Sequence, residues 1–169
     1  MPPGNSFWDY SLAVYRRPGV SEACLRLQDD AGVDVNLLLY VCWLATVRDA
    51  ALDEAGVRDA IALTEGWRDR VVRPLRDVRR WMKGGAEGMP AESVEALRSE
   101  VKKIELKSER LQQDMLFAMA GPAKAATDEA AARRRADANI GTYLSVIGAP
   151  RTEQISHARH TVAAASIPS

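Results

Sequence analysis

The stretch from Val35 to Val47, VNLLLYVCWLATV, is apolar nearly all the way round when wound as a helix. Such a helix has no face to offer water, so the rest of the chain must enclose it. Its continuous apolar run, Leu37 to Ala45, is nine residues long. A membrane span needs roughly 18 or more. Asp34 stands just before it, where a carboxylate can accept first-turn amide hydrogens and match the positive end of the helix dipole. The segment is therefore read as the third and central helix of the fold.

Almost every other segment also has helical period. Asn5 or Ser6 can cap a first helix with Trp8, Leu12 and Tyr15 on one face. The same stretch alternates (Trp8, Tyr10, Leu12, Val14), which is a strand signal; its helical neighbours favour helix. Pro18-Gly19 ends it. A second helix is expected from Val20 to Ala31, with Cys24, Leu27 and Ala31 inward and Gly32 as its stop. Gly56 breaks the chain before a fourth, about Val57 to Lys83. In its second half Trp67, Val71, Leu75, Val78 and Met82 share an arc, and Pro74 should kink it. Residues 84–90, GGAEGMP, read as a linker.

Beyond Pro90 the spacing changes. Val94, Leu97, Val101, Ile104, Ser108, Leu111, Met115 and Ala118 alternate steps of three and four, with Ser108 the one polar exception. This 3.5 period predicts one helix over 92–119 whose seam is buried against a partner helix. Gly121-Pro122 stops it. An alanine-rich helix, about Thr127 to Ile147, carries the stripe Ala136, Ile140, Tyr143 and Ile147 and is expected to lie antiparallel to the long helix. Thr152 can cap a last, weak helix to Ala165, with Ile155, Ala158 and Val162 as its apolar face. The final SIPS is expected to fray. The fold class is all-α: a compact bundle of six to seven helices with a long heptad-patterned helix and a C-terminal helical hairpin. We read residues 1–169 as one domain, divided into an N-terminal helical core (5–83), the linker, and the hairpin with its tail (91–165).

Composition narrows the functional classes. The chain is 47% hydrophobic, enough for one core, and balances 23 basic against 23 acidic residues. Nucleic-acid binders usually carry a basic surplus, so nucleic acid is not an expected partner. The start MPPGNSFWDY has no basic n-region or apolar core, so no secretory signal is read there and a cytoplasmic location is expected. Cys24 and Cys42 sit in apolar helical settings, as structural thiols. No phosphate loop, dinucleotide fingerprint, C-x-x-C, H-E-x-x-H or G-x-S-x-G occurs, so no catalytic residue, metal or cofactor is assigned. His157 and His160 read as surface residues. Asp30/Asp34 and Asp49/Asp53 have the spacing of magnesium-binding carboxylate pairs, but Gly32 separates the first two and helix-end roles account for them better.

The FW-x-Y start at Phe7, the Y-x-x-P-G-V turn at Tyr15, the C-L-x-L-Q run at Cys24 and the D-V-N-L-L-L-x-x-x-W-L-A helix at Asp34 resemble a small family of proteobacterial proteins known only as a domain of unknown function. The likeness is looser over V-V-R-P-L-R-D-V-R-R, residues 71–80. It implies a family without an assigned chemistry, so it carries over no catalytic residues.

Three surfaces remain. The leading expectation is a non-enzymatic helical interaction protein. It would self-associate, or bind a protein partner, through Val94, Leu97, Val101, Ile104, Leu111 and Met115. The second is a small-molecule pocket in residues 7–45, built from Trp8, Tyr10, Arg16, Gln28, Asp34 and Asn36, with an arginine for an anionic group. Asn36, in the first turn of a buried helix, needs hydrogen-bond partners, and Gln28 is the candidate. The third is an anion-binding face on the basic helix 68–83, through Arg70, Arg73, Arg76 and Arg80. Residues 66–83 hold seven basic and two acidic groups. The zero net charge leads us to expect that the protein's own carboxylates offset them.

Overall fold

The computed structural model describes residues 5–122 and 128–167. Asn5 opens α1 (Ser6–Tyr15) by accepting the amide hydrogens of Phe7 and Trp8 at 2.9 and 3.1 Å. Helix α2 (Val20–Ala31) lies between Gly19 and Gly32, at φ 78° and 68°. A Cβ would strain that left-handed backbone. Asp34 caps α3 (Val35–Thr46), its Oδ1 accepting from the Asn36 amide at 2.9 Å. From Asn36 to Thr46 every residue of α3 is buried.

Asp53 begins α4 (Glu54–Trp67), accepting from the Gly56 amide at 2.8 Å. The helix thus starts before Gly56, not after it. It continues through a π-helical segment (Arg68–Val72) into α5 (Arg73–Met82). Pro74 has no amide hydrogen and its ring crowds the preceding turn. The wide π turn takes up that mismatch, which is the form the expected kink assumes. The long helix is α6 (Ala91–Met119), followed by α7 (Glu129–Val146) and α8 (Glu153–Ala165), the last capped by Thr152. Counted as rods, with α4, the π segment and α5 as one, the described residues make seven. The expected start of α7 at Thr127, and Pro168 and Ser169 of the tail, lie outside the described residues.

Around α3 the other helices form the walls. Helix α7 runs along it, α8 packs on α2 and α7, and α1 covers part of α3 and α6. Phe7, Tyr40, Trp43 and Phe117 pack into one ring cluster with centroids of neighbouring rings 5.3–6.1 Å apart. Such pairs add to the transfer energy of the buried rings.

Four expectations need correction. The C-terminal helix pair is α7 with α8, while α6 packs chiefly against α5 and α4. The small stripe of α7 (Ala132, Ala136, Ile140) fits the all-apolar surface of α3 better than the charged α6. Helix α8 is not weak: Ile155, Ala158, Val162 and Ala163 are all buried. The SIPS tail begins anchored, since Ser166 is fully buried, its carbonyl accepts from the Tyr10 hydroxyl, and Arg17 holds the carbonyls of Ala165 and Ile167.

The fourth concerns the heptad seam. Residues 91–119 do form one helix, but Leu97, Ile104 and Leu111 are 55, 51 and 52% exposed. The buried residues of α6 are Val94, Glu105, Ser108, Gln112, Gln113 and Leu116. Arginines on α5 and amides on α3 need buried partners, and α6 supplies them. Among the described residues no helix is long and apolar enough to cross a membrane.

Candidate functional site

A cleft of about 340 Å³ opens where α1, α2, α3, α5 and α6 meet. Its apolar wall comes from Trp8, Leu12 and Tyr15 of α1 with Leu25, Leu39 and Leu106. The three α1 residues share one face, as expected, and it is not the face that fills the core. Phe7, Tyr10, Ser11 and Val14 take that place, and the Trp8 stripe turns to the cleft.

The opposite wall is ionic. Arg76 donates to Glu105 at 3.2 Å, to Glu109 at 2.7 Å and to the Gln28 side-chain Oε1 at 2.8 Å. Arg79 forks onto Glu105, which is only 5% exposed. Burial pushes the Glu109 carboxyl above the usual range, with Arg76 opposing. Two arginines and two carboxylates leave this inner network neutral. The three remaining cations lining the cleft, Arg16, Arg80 and Lys102, are all exposed. Arg80 reaches Asp29 at 3.5 Å. The positive surplus therefore sits at the mouth.

The floor is a chain of buried amides. The Gln112 Nε2 donates to Asp34 at 2.6 Å, Asn36 Nδ2 to Gln112 at 2.9 Å, and Gln113 Nε2 to Asn36 at 2.8 Å. The partners of Asn36 are thus on α6, and Gln28 instead serves Arg76. Two buried atoms of residues lining the cleft, Gln113 Oε1 and Ser11 Oγ, have no partner among the described residues.

The structure brings together residues that the sequence assigned to two separate sites. Trp8, Arg16, Gln28 and Asn36 line the cleft beside Arg76 and Arg80. Tyr10 does not: it is buried, bonded to the Ser166 carbonyl and Thr46. Asp34 also lies off the cleft, as the α3 cap and the acceptor for Gln112. Arg70 and Arg73 point elsewhere, Arg73 pairing with Asp69 at 3.2 Å. Arg76 was expected on the basic face of its helix as an anion-binding candidate; its side chain is 18% exposed and fully engaged by the protein's own groups. Five of the seven cations in residues 66–83 lie in ion pairs (Arg68, Arg73, Arg76, Arg79, Arg80).

Sequence reasoning missed Ser11, Lys102, Glu105, Glu109 and Gln113. The signal was present: Glu105, Glu109 and Gln113 recur every four residues, which puts one polar stripe on α6. Elsewhere Cys24 and Cys42 are buried free thiols, each pushed up to about 12 by burial. Asp30 pairs with Arg26, Asp49 with Arg135, and Asp53 caps α4. Among the described residues no group of three or more His, Cys, Asp or Glu could hold a metal ion.

A family model described as "Protein of unknown function (DUF2390)" matches residues 6–116. That span contains every cleft-lining residue and ends within α6. No curated protein and no solved structure matches the chain.

Proposed function

The chain belongs to the DUF2390 family of proteins of unknown function, and we propose that it is a binding protein that takes a small organic anion into the cleft beside α1. The observation behind this is the division of the cleft into an apolar wall, a neutral ionic wall and a cationic mouth. Apolar surface supplies affinity and a few placed polar groups supply orientation. The mouth attracts an anion without breaking the Arg76–Glu105–Glu109 network. A panel of aromatic and aliphatic carboxylates, read by thermal shift, tests this. At least one should raise the melting temperature, and Arg16→Ala with Lys102→Ala should remove that rise without changing the unliganded protein. A panel without effect refutes the reading.

A second reading, self-association, draws on the outer face of α6. Leu97, Ile104 and Leu111 are seven residues apart and half exposed. Among the described residues, eight of the eleven exposed large hydrophobics lie between Val78 and Met119, with Trp81 at 67%. A second copy approaching antiparallel about Ile104 sets Leu97 opposite Leu111 and brings Glu100 within one residue of Lys107, an unlike charge. Sedimentation of the wild type against Ile104→Asp decides it: a dimer that the substitution dissociates supports the reading, and a monomer at all concentrations removes it. The buried free thiols support a reducing, cytoplasmic setting for either role.

A further inference from the structure

The floor of the cleft has a fixed hydrogen-bond polarity, and we infer from it that the ligand carries an O–H or N–H donor as well as its anionic group. This deepens the cleft reading and rests on it. Amide orientations are ordinarily ambiguous, because oxygen and nitrogen exchange on a flip. Here a carboxylate settles them. Asp34 accepts from the Asn36 amide through Oδ1 and from Gln112 through Oδ2. A carboxylate offers no donor, so Gln112 must turn its NH2 towards Asp34. Its oxygen then faces Asn36, which answers with its own NH2. The Asn36 oxygen is left to accept, and Gln113 supplies the NH2. The chain ends at Gln113 Oε1, an acceptor by necessity.

That acceptor is buried and without a donor among the described residues, in a side chain 3% exposed that lines the cleft. Ser11 Oγ, also buried and unpartnered, belongs to a second residue of that lining, itself 3% exposed. A buried acceptor left unpaired is unfavourable, and a donor entering the cleft relieves it. The serine hydroxyl can donate or accept, so it adapts; the glutamine oxygen cannot. A ligand that offers only acceptors at the inner end meets Gln113 with repulsion. The ligand class is therefore an organic anion with an apolar body and a hydroxyl or N–H away from its charge.

Isothermal titration with three matched probes tests this: 4-hydroxyphenylacetate, 4-methoxyphenylacetate and 2-(4-hydroxyphenyl)ethanol. We expect the hydroxy acid to bind about tenfold tighter than the methoxy acid, the usual scale for one hydrogen bond. The alcohol, lacking the carboxylate, should also bind more weakly. Gln113→Leu should erase the hydroxyl preference while the methoxy acid still binds. Asp34→Asn keeps a capping side chain but can donate, so it frees the chain to invert and should shrink the preference even if the leucine variant does not fold. Equal binding of the two acids, with the alcohol still weaker, overturns the donor inference and leaves the anionic cleft standing. A hydroxyl preference unchanged in the folded variants overturns the assignment to Gln113. Failure of all three probes at millimolar concentration overturns both.

Discussion

Helices α3 and α6 bury themselves by opposite rules. Along α3 the buried residues are Leu37, Leu38, Val41, Trp43 and their neighbours, and apolarity alone accounts for its place. Along α6 three large aliphatic residues, Leu97, Ile104 and Leu111, face outward while Glu105, Gln112 and Gln113 face inward beside Leu116. Hydrogen-bond demand decides the second case. Asp34, Asn36, Arg76 and Arg79 are carried on other elements, and each needs a partner that only a polar stripe supplies. The difference teaches that a helix is oriented by what its neighbours require as well as by its own hydrophobic pattern.

The comparison can be broken experimentally, most strongly at α3. Trp43→Ala should cost about 3–5 kcal/mol in urea unfolding, because it empties the centre of the ring cluster. A loss below about 1 kcal/mol would show that α3 is not the centre. On the inward face of α6, Arg76→Ala strands Glu109 and leaves Glu105 with Arg79 alone. We expect about 2–3 kcal/mol, somewhat below the figure for fully buried pairs because the guanidinium retains some exposure. Gln112→Leu should cost about 1–2 kcal/mol by leaving Asp34 and Asn36 each short of a partner. Ile104→Ser, on the outward face, should change monomer stability by no more than about 0.5 kcal/mol. If it proves as costly as Gln112→Leu at a concentration where the protein is monomeric, the contrast between the faces collapses.

The finest test is one of sign. Glu109 has a raised carboxyl pKa in the fold, chiefly from burial. Folding therefore favours its protonated form, a contribution present at low pH and lost as pH rises through the folded value. Wild type should lose stability relative to Glu109→Gln across the range from acid to neutral. A flat difference would mean that Arg76 cancels burial, and one that runs the other way that Arg76 outweighs it.

The same contrast explains what could be read from the chain. Helix α3, the Asn5, Asp34 and Thr152 caps, the glycine stops and the stripe of α7 were legible because each depends on a few adjacent residues. The cleft was half legible. Trp8, Arg16, Gln28 and Asn36 stand out as polar and aromatic residues interleaved, but their setting depends on residues far along the chain. Asn36 and Gln112 are 76 positions apart. No local period reveals that pairing, and the heptad count on α6 set part of its seam inward (Val94, Ser108) but missed that Leu97, Ile104 and Leu111 face out, because it weighs apolarity only. Arg76 was misplaced for a related reason: its rotation depends on a turn upstream that is not α-helical.

That turn sets the phase of the whole rod. Trp67, last in α4, donates its indole N–H to the Ser108 carbonyl at 2.9 Å, while Arg76 and Arg79, past the π segment, grip Glu105 one turn away on the same helix. Nine residues of plain α-helix would swing Arg76 about 180° from Trp67, and the indole and the guanidinium could not meet one partner. A π turn takes up about one extra residue, roughly 100° of rotation. Arg76 then lies about 80° from Trp67, and Arg79 about 20°. The segment Arg68–Val72 works as a clutch between two lengths of shaft. Winding it as plain α-helix at its present length would turn the arginines out of the cleft, whereas deleting one residue along with the π turn would keep their phase, so the ionic wall depends on the rotation this segment sets as much as on its own charges.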